Sequence, residues 1–248
     1  MAPRKAPRRR QDLSRFACLD LGREHRTGVP EVVIAEGKQR VHLVAIAKRM
    51  LQDKGRVIIT RVPDGMMGAL KFKGFVFQAH KDARICVIKK KGFKVHSTGG
   101  LIAILAAGTS DYPVAEEARI VAEELGCEVR AIYDIGVAGV HRLYNALDGL
   151  DLDDIDAFIV IAGREGALPT LVSGLVDVPV IGVPVSTGYG KGGHGEAALL
   201  AMLQSCSPLV VVNIDAGFVA GVVAARIANR RVRNPSKGPK SKQKRQNR

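Results

Sequence analysis

Short apolar runs alternate with helical patterns along the chain from about residue 99 to residue 229. The runs are almost continuously apolar, which is typical of strands covered on both faces in a parallel sheet. Between the runs, apolar residues recur at the three- and four-residue spacing of amphipathic helices. The predicted strands are Leu101–Ala107, Val129–Tyr133, Ala157–Ala162, Val178–Val183 and Leu209–Ile214. The predicted helices are Pro113–Leu125, Ala138–Leu147, Ala167–Leu175, Gly195–Gln204 and Gly217–Ala228.

Five repeats of strand, loop and helix predict an α/β fold with a three-layer, doubly wound parallel sheet. The preceding part of the chain predicts a smaller α/β domain, in which a helix over Gln39–Leu51 joins the strands Glu31–Ala35 and Arg56–Thr60. Weak alternation over residues 70–96 indicates further strands and turns. Ser, Thr and paired glycines in residues 94–100 predict a linker. We therefore expect one domain at 16–98 and a catalytic domain at 99–229.

Composition places the chain in the globular class, with 46% hydrophobic and 25% charged residues. No apolar run reaches the roughly 18 to 20 residues of a membrane helix, and the charged N-terminal residues include no hydrophobic stretch, so we expect neither a membrane span nor a secretory signal. The four cysteines, Cys18, Cys86, Cys127 and Cys206, form no Cys-x-x-Cys pair. This spacing disfavours a zinc ribbon or a disulfide framework and favours the reducing cytoplasm.

The formal net charge of +14 is concentrated in two tails. Residues 1–15 contain six basic residues and one acidic residue, and residues 230–248 contain nine basic residues and no acidic one. Both tails lack apolar residues to bury, so we expect them to be disordered. One hypothesis is therefore a regulatory or nucleic-acid-associated protein that binds polyanions weakly through its tails. Against it, aromatic residues are only 4% of the chain, and no nucleic-acid recognition module is evident.

In a doubly wound sheet, ligands bind at the loops that follow the carboxyl ends of the strands. The first such loop is Gly108-Thr109-Ser110-Asp111, which enters a helix where free backbone N–H groups attract phosphate. The alternative is structural: Ser110 or Asp111 caps the helix and Pro113 lies in its first turn.

The next two loops contain ionisable side chains. After the second strand, His141 suits proton transfer and Arg142 suits binding of a phosphate or carboxylate. A His-Arg pair at the start of a helix is, however, more often structural. After the third strand, glycines flank Arg-Glu in residues 163–166 and allow a close approach to a ligand, although an ordinary turn also needs them.

The fourth loop, residues 184–195, contains five glycines in twelve residues, which favours a mobile phosphate cradle or lid. It has neither the Walker order nor a Gly-x-Gly-x-x-Gly fingerprint, so ATPase and dinucleotide-dehydrogenase functions are disfavoured. Cys206 follows at the end of the last helix before the final strand. A free cysteine is usually a small buried hydrophobe, but polar neighbours here permit a thiolate nucleophile.

These segments together resemble the PurE-like family of aminoimidazole ribonucleotide carboxylases and mutases, and resemble its LarB branch more closely. Residues 108–111 resemble the Gly-Ser-x-Ser-Asp phosphate loop, His141-Arg142 resembles the His-Arg of the Ser-Ala-His-Arg-Thr segment, and residues 179–185 resemble the fourth strand. The likeness to LarB, which acts in nickel pincer cofactor biosynthesis, extends from Phe16 to about Ala225. It rests on residues 26–38, 107–117, 133–142, 165–169, 188–190, 199–206 and 212–218.

The resemblance implies a PurE-like, flavodoxin-like catalytic sheet and a carboxylase that is also a hydrolase. Such an enzyme takes nicotinic acid adenine dinucleotide and CO2, and releases pyridinium-3,5-biscarboxylic acid mononucleotide and AMP. A pyridinium carbon is too electron-poor to attack CO2, but addition of the Cys206 thiolate at ring C4 would make C5 an enamine-type nucleophile. The alternative is a PurE-type aminoimidazole ribonucleotide carboxylase or mutase, whose electron-rich substrate needs no thiol.

The resemblance also implies roles for individual residues. The implied catalytic residues are Cys206, His141 and Asp111. The implied substrate-binding residues are Gly108, Thr109, Ser110, Arg142, Glu165, Gly188, Tyr189, Gly190, Lys191, Asn213 and Asp215. Mg²⁺ is expected at the pyrophosphate, with Glu165, Asp215 and Asp134 as candidate ligands. CO2 or bicarbonate is the expected co-substrate, and the expected partners are further copies of the chain, an octamer by analogy, and downstream enzymes of nickel pincer cofactor synthesis.

Overall fold

The structure is a computed structural model that describes residue 13 and residues 16–233, with side chains up to residue 230. The predicted tails, 1–15 and 230–248, lie almost entirely outside the described residues. One correction falls at their edge, because the last helix continues to Arg233 instead of ending at Ala228. The extension contains arginines, which favour helix, and the first helix-breaking residue of the sequence there is Pro235.

The chain divides between Lys94 and Val95 into two compact units. The first unit has a four-stranded sheet in the order β1-β2-β4-β3, in which only β1 and β2 are parallel. Helix α2 covers one face through Leu43, Ala47 and Met50. The elements are α1 Arg23–Thr27, β1 Val32–Ile34, α2 Arg40–Lys54, β2 Arg56–Thr60, a 3-10 turn Met67–Leu70, β3 Phe75–His80 and β4 Ile85–Lys90.

The second unit is a parallel sheet with helices on both faces. Its strands are β5 Leu101–Ala106, β6 Glu128–Ile132, β7 Ala157–Ala162, β8 Val180–Pro184 and β9 Val210–Val211. Its helices are α3 Tyr112–Glu124, α4 Val140–Asp148, α5 Ala167–Ser173, α6 Glu196–Leu203 and α7 Gly217–Arg233, with 3-10 turns at Thr109–Asp111 and Val137–Gly139. The sheet order β6-β5-β7-β8-β9 is that of flavodoxin-like folds. The predicted fold class is confirmed.

Two cores hold the three layers together. Helices α3 and α7 cover one face largely with alanines, among them Ala118 and Ala224, which allow the two helices to lie close to the sheet. The opposite face packs larger side chains from α4, α5 and α6, including Leu143, Leu168 and Met202. Strands β7 and β8 are buried along their whole length, as their uninterrupted apolar runs predict.

The last strand is shorter than predicted, two residues instead of six. Asn213 Oδ1 accepts the N–H of Ile214 at 2.8 Å, and Asp215 has a positive φ of 56°. Side-chain acceptors of this type compete with strand pairing and favour a turn, so the chain leaves the sheet early. Within the described residues, no helix combines the length and apolarity that a membrane crossing requires.

Candidate active site

A cavity of about 300 Å³ lies at the carboxyl ends of the strands in the second unit. The loops that follow β5, β6, β7 and β8 line it, as expected for a ligand site in a doubly wound sheet. The cavity brings together seven of the predicted site residues: Gly108, Ser110, Asp111, Arg142, Glu165, Gly188 and Tyr189.

Asp111 is the buried acid of this cavity, with only 3% of its surface exposed. Its Oδ2 accepts the N–H of Gly108 at 2.9 Å, and Thr187 Oγ1 donates to Oδ1 at 3.4 Å. Burial raises the pKa of the Asp111 carboxyl, the hydrogen bonds from Gly108 and Thr187 oppose that change, and the nearby charge of Glu165 adds to it. Asp111 therefore holds a proton more readily than an exposed aspartate.

The predicted capping role of Asp111 is confirmed in part. As the residue before α3 it makes no side-chain cap of that helix, but it does cap the 3-10 turn Thr109–Asp111 that leads into α3. The Asp111 carboxylate turns back to the N–H of Gly108, and Gly108 O accepts the N–H of Asp111 at 3.1 Å. Pro113 lies in the first turn of α3, as predicted. The side chain thus caps the turn that precedes the helix and not α3 itself.

Asp134, in the loop after β6, holds Arg142 in place in the first turn of α4. Its Nη1 donates to Asp134 Oδ2 at 2.9 Å and to the Asp134 carbonyl at 2.6 Å. Gly136 brings this loop against the first one, because a Cβ at Gly136 would lie 2.8 Å from the Ala107 carbonyl oxygen. Arg142 lines the cavity, whereas the neighbouring His141 side chain is exposed and does not.

The loops after β7 and β8 are in direct backbone contact. A Cβ at Gly188 would lie 2.3 Å from the Gly163 carbonyl oxygen, so only glycine fits at this crossing. Next to the crossing, the Arg164 guanidinium carbon lies 4.5 Å from the centroid of the Tyr189 ring. Both side chains line the cavity. The sequence predicted that the glycines flanking Arg164 and Glu165 allow close approach to a ligand, but it predicted no role for Arg164.

The rest of the glycine-rich loop folds back on itself outside the cavity. The N–H groups of Gly193 and His194 donate to the carbonyls of Gly190 and Gly188 at 3.0 and 3.2 Å. Gly190 and Lys191 are exposed and do not line the cavity. Thr109, in the first loop, is also exposed and does not line it.

Asp215, in the loop after β9, stabilises the loop that follows β8. Its Oδ1 accepts the N–H of Ser186 at 2.9 Å, and its own N–H donates to the Pro184 carbonyl at 2.9 Å. Neither Asp215 nor Asn213 lines the cavity. Thr187, which follows Ser186, is the residue that donates to Asp111, so Asp215 positions the hydroxyl that contacts the buried acid. Thr187 lines the cavity and was also missed from the sequence, where it looked like one more loop residue.

Cys206 lies at the opposite end of the strands from the cavity, near their amino ends. It is exposed, in the segment that joins α6 to the amino end of β9. Its neighbours contact the later part of α5, where Thr170 Oγ1 donates to Ser205 Oγ at 3.0 Å and Ser173 Oγ to the Pro208 carbonyl at 2.7 Å. A strand of five or six residues is roughly 16 to 20 Å long, and this length separates the amino end of a parallel sheet from its carboxyl end. Within one chain, the thiol and the cavity are therefore apart.

Comparison with known proteins gives the family. A family model described as AIR carboxylase matches residues 101–248, more than half of the chain. The chain belongs to the AIR carboxylase family. A second model, described as the LarB/PurE-like N-terminal domain, matches residues 10–91 of this family member.

Two relatives and one solved structure are similar to all or part of this AIR carboxylase family chain. An uncharacterized protein of Methanocaldococcus jannaschii is 43% identical over 216 residues, which cover 85% of this chain and 83% of that protein. A protein of Methanothermobacter thermautotrophicus, named "Probable N5-carboxyaminoimidazole ribonucleotide mutase", is 36% identical over 132 residues, 51% of this chain and 37% of that protein. The crystal structure of Treponema denticola PurE has a TM-score of 0.37 and 20% identity, over 57% of this chain and 99% of that one.

The three carboxylates predicted as Mg²⁺ ligands do not converge in this family member. Asp134 pairs with Arg142, Asp215 binds the N–H of Ser186, and only Glu165 lines the cavity. Among the residues described, no group of three or more His, Cys, Asp or Glu side chains is arranged to hold a metal ion. The donor set does not form a protein-only magnesium site, and the Mg²⁺ requirement stays a prediction.

Proposed function

We propose that this member of the AIR carboxylase family carboxylates nicotinic acid adenine dinucleotide and hydrolyses its phosphoanhydride. The products are pyridinium-3,5-biscarboxylic acid mononucleotide, for nickel pincer cofactor synthesis, and AMP. One observation carries the proposal: a LarB/PurE-like N-terminal domain at residues 10–91 precedes the AIR carboxylase domain. The match to the N5-carboxyaminoimidazole ribonucleotide mutase, by contrast, covers only 51% of the chain.

The proposed chemistry begins with the Cys206 thiolate, which adds to C4 of the pyridinium ring. The addition moves an electron pair into the ring, so that C5 becomes nucleophilic and forms a carbon–carbon bond with CO2. A base then removes the C5 proton, the C4–S bond breaks, and the aromatic ring and the thiolate are both restored. Water attacks the phosphoanhydride in a separate step, with cleavage of the P–O bond and release of AMP.

Several groups at the cavity support the proposal, because they suit the ring chemistry and the phosphate. Ser110 and the backbone N–H groups at the start of α3 suit the mononucleotide phosphate. Asp111 is the proposed acceptor of the C5 proton, because its burial raises the pKa of the carboxyl. His141, next in sequence to the cavity residue Arg142, is the second candidate. No step of the mechanism is assigned to Mg²⁺.

In the proposed reaction the thiol comes from a second copy of the chain, because Cys206 and the cavity of one chain lie at opposite ends of the strands. Exposed apolar side chains near Cys206 support an interface there. Leu200 and Leu203 on α6 are 61% and 62% exposed, and Leu171 and Leu175 are exposed on and just after α5. A surface of this kind is typical of subunit contacts. We propose a homo-oligomer in which each cavity receives a thiol from a neighbour.

Mass spectrometry tests the reaction directly. The full chain is incubated with nicotinic acid adenine dinucleotide, Mg²⁺ and ¹³C-bicarbonate, and we expect AMP and a dicarboxylated mononucleotide with one label. Cys206→Ser should lower turnover by about a thousandfold or more, because the variant has no thiolate to activate the ring. Cys18→Ser is the matched control, since Cys18 is also exposed and lies in the other unit. Folded wild-type protein that makes no labelled product contradicts the proposal.

A PurE-type carboxylase or mutase is the second candidate function. It is favoured by the 36% identity to the N5-carboxyaminoimidazole ribonucleotide mutase over 132 residues. Under this alternative, aminoimidazole ribonucleotide or its N5-carboxy derivative is converted, and Cys206→Ser leaves the rate unchanged. The same two variants therefore separate the two functions.

A further inference from the structure

We infer that Arg164 recognises the carboxylate that the pyridinium ring of the substrate already has. The inference rests on the proposed function and adds a specificity-determining residue to it. Arg164 lies in the loop after β7, between Gly163 and Glu165, and its side chain lines the cavity.

Arg164 is the lining cation that has no hydrogen-bond partner among the described residues. The other lining cation, Arg142, donates to the Asp134 carboxylate at 2.9 Å and to the Asp134 carbonyl at 2.6 Å. No described residue forms an ion pair or hydrogen bond with the Arg164 guanidinium, whose ring contact is with Tyr189. A guanidinium presents its N–H groups as a planar fork that matches the two oxygens of a carboxylate.

Tyr189 holds this guanidinium in position from the neighbouring loop. Its ring centroid lies 4.5 Å from the Arg164 Cζ atom, and the Tyr189 side chain is 72% exposed. Stacking on a ring occupies a face of the guanidinium and leaves the N–H groups at its edge available. The contact of Gly188 with the Gly163 carbonyl fixes the two loops beside the pair. The Tyr189 contact therefore favours a placement of the Arg164 guanidinium at the cavity.

The neighbouring acid completes a match to the nicotinate ring. Glu165 lines the same cavity, next to Arg164 in sequence, and no described residue forms an ion pair with it. A nicotinate ring in a nucleotide has a positive ring nitrogen and a negative carboxylate. The loop offers one negative and one positive side chain at the cavity, which is complementary to this charge pair. A nicotinamide ring has the positive nitrogen but no carboxylate, so it leaves Arg164 without a partner.

Two other cations predicted to bind the substrate, Arg142 and Lys191, are placed less favourably. Arg142 is paired through Nη1 with the Asp134 carboxylate, which offsets its positive charge. Lys191 is exposed and does not line the cavity. Discrimination between the acid and the amide is thus assigned to Arg164.

The test compares three ligands on the full chain by isothermal titration calorimetry in bicarbonate-free buffer. Nicotinic acid adenine dinucleotide and NAD differ in the ring carboxylate, and AMP lacks the ring altogether. We expect the wild type to bind the acid more tightly than the amide. Arg164→Gln should weaken binding of the acid by about ten- to a hundredfold, because a charge-assisted hydrogen bond to a carboxylate is lost. Binding of NAD and AMP should change by less than about twofold.

Three further variants sharpen the test. Arg226→Gln removes one exposed arginine from α7, outside the cavity, and should leave all three affinities unchanged. Tyr189→Phe keeps the ring and should keep the preference for the acid. Tyr189→Leu removes the ring and should weaken binding of the acid by about three- to fivefold, the range expected for loss of a cation–π contact.

Two outcomes overturn the inference alone. If Arg164→Gln weakens the acid, NAD and AMP equally, Arg164 binds a phosphate and not the ring carboxylate. If Arg164→Gln keeps the full preference for the acid, another residue binds the ring carboxylate. Turnover of the wild type in the same preparations separates these failures from failure of the proposed function: a folded wild type that neither converts the dinucleotide nor prefers the acid refutes both.

Discussion

For single residues such as Asp111, the sequence predicts the position in the fold but not the contacts of the side chain. The sequence placed it correctly in a loop at the carboxyl end of the first strand of the catalytic sheet, but the nature of its contacts was not predictable. Whether an aspartate before a helix caps that helix or turns back to its own loop depends on the backbone conformation at Gly108 and on Thr187, 76 residues away. Arg164 shows the same limit, because its partner Tyr189 belongs to the next loop.

The raised pKa of Asp111 predicts a pH dependence of stability. A carboxyl whose pKa is raised on folding binds its proton more tightly in the native state, so this group's contribution to stability is present at low pH. The contribution is lost as the pH rises from about 3.9 through the native pKa. Asp111→Asn cannot ionise, and its amide can still accept from Gly108. The difference in unfolding free energy between Asp111→Asn and the wild type should therefore shift in favour of the variant as the pH rises from 4 to 7, measured by urea denaturation.

The same substitution should lower kcat by about a hundredfold or more, because loss of a general base costs this much. A variant that is stable but slow supports the catalytic role. If Asp111→Asn retains full turnover, Asp111 is a loop-shaping residue only, and the proton goes to another base.

At the scale of elements, apolar runs predicted the sheet well because buried parallel strands have an uninterrupted apolar sequence. Strand β7 has the predicted bounds, and β5 differs by one residue. The prediction failed where side chains act on the backbone, as at Asn213 and Asp215 at the end of β9. The position of Cys206 was also implicit in the predicted elements, since a segment that joins a helix to the next strand lies at the amino edge of the sheet.

Close packing of α3 against α7 predicts an unusual response to a glycine substitution. A Cβ at Gly221 would lie 2.6 Å from the Ala118 carbonyl oxygen on α3. Alanine normally stabilises a helix by about 1 kcal/mol relative to glycine. Here Gly221→Ala should instead lower the unfolding free energy by about 1 to 3 kcal/mol, because overpacking forces the two helices apart.

Gly149→Ala serves as the matched control for this prediction. It follows α4, has a φ of −80°, and its added Cβ would meet no atom closer than 3.6 Å. Urea denaturation should show no loss of stability for this variant. A stabilising effect of Gly221→Ala would mean that the helices can separate without cost.

At the scale of the whole molecule, the arrangement of thiol and cavity limits what one chain can do. The loops at the carboxyl edge supply a buried acid, hydroxyl groups and arginines, whereas Cys206 lies at the amino edge beside exposed leucines. The composition predicted neither the location of the cavity groups nor that of Cys206; its main feature is the net charge of +14. Most of that charge belongs to segments outside the described residues.

A mixed oligomer tests whether the thiol acts between chains. Cys206→Ser chains have an intact cavity and Asp111→Asn chains an intact thiol, so neither variant alone should turn over the dinucleotide. If the two are co-expressed with different tags and purified as a mixed assembly, about a quarter of the sites in a random symmetric oligomer combine an intact cavity with an intact neighbouring thiol. We expect about that fraction of the wild-type rate. If each thiol served the cavity of its own chain, every chain in the mixture would be defective in one group, and the mixed assembly would be as inactive as its parents.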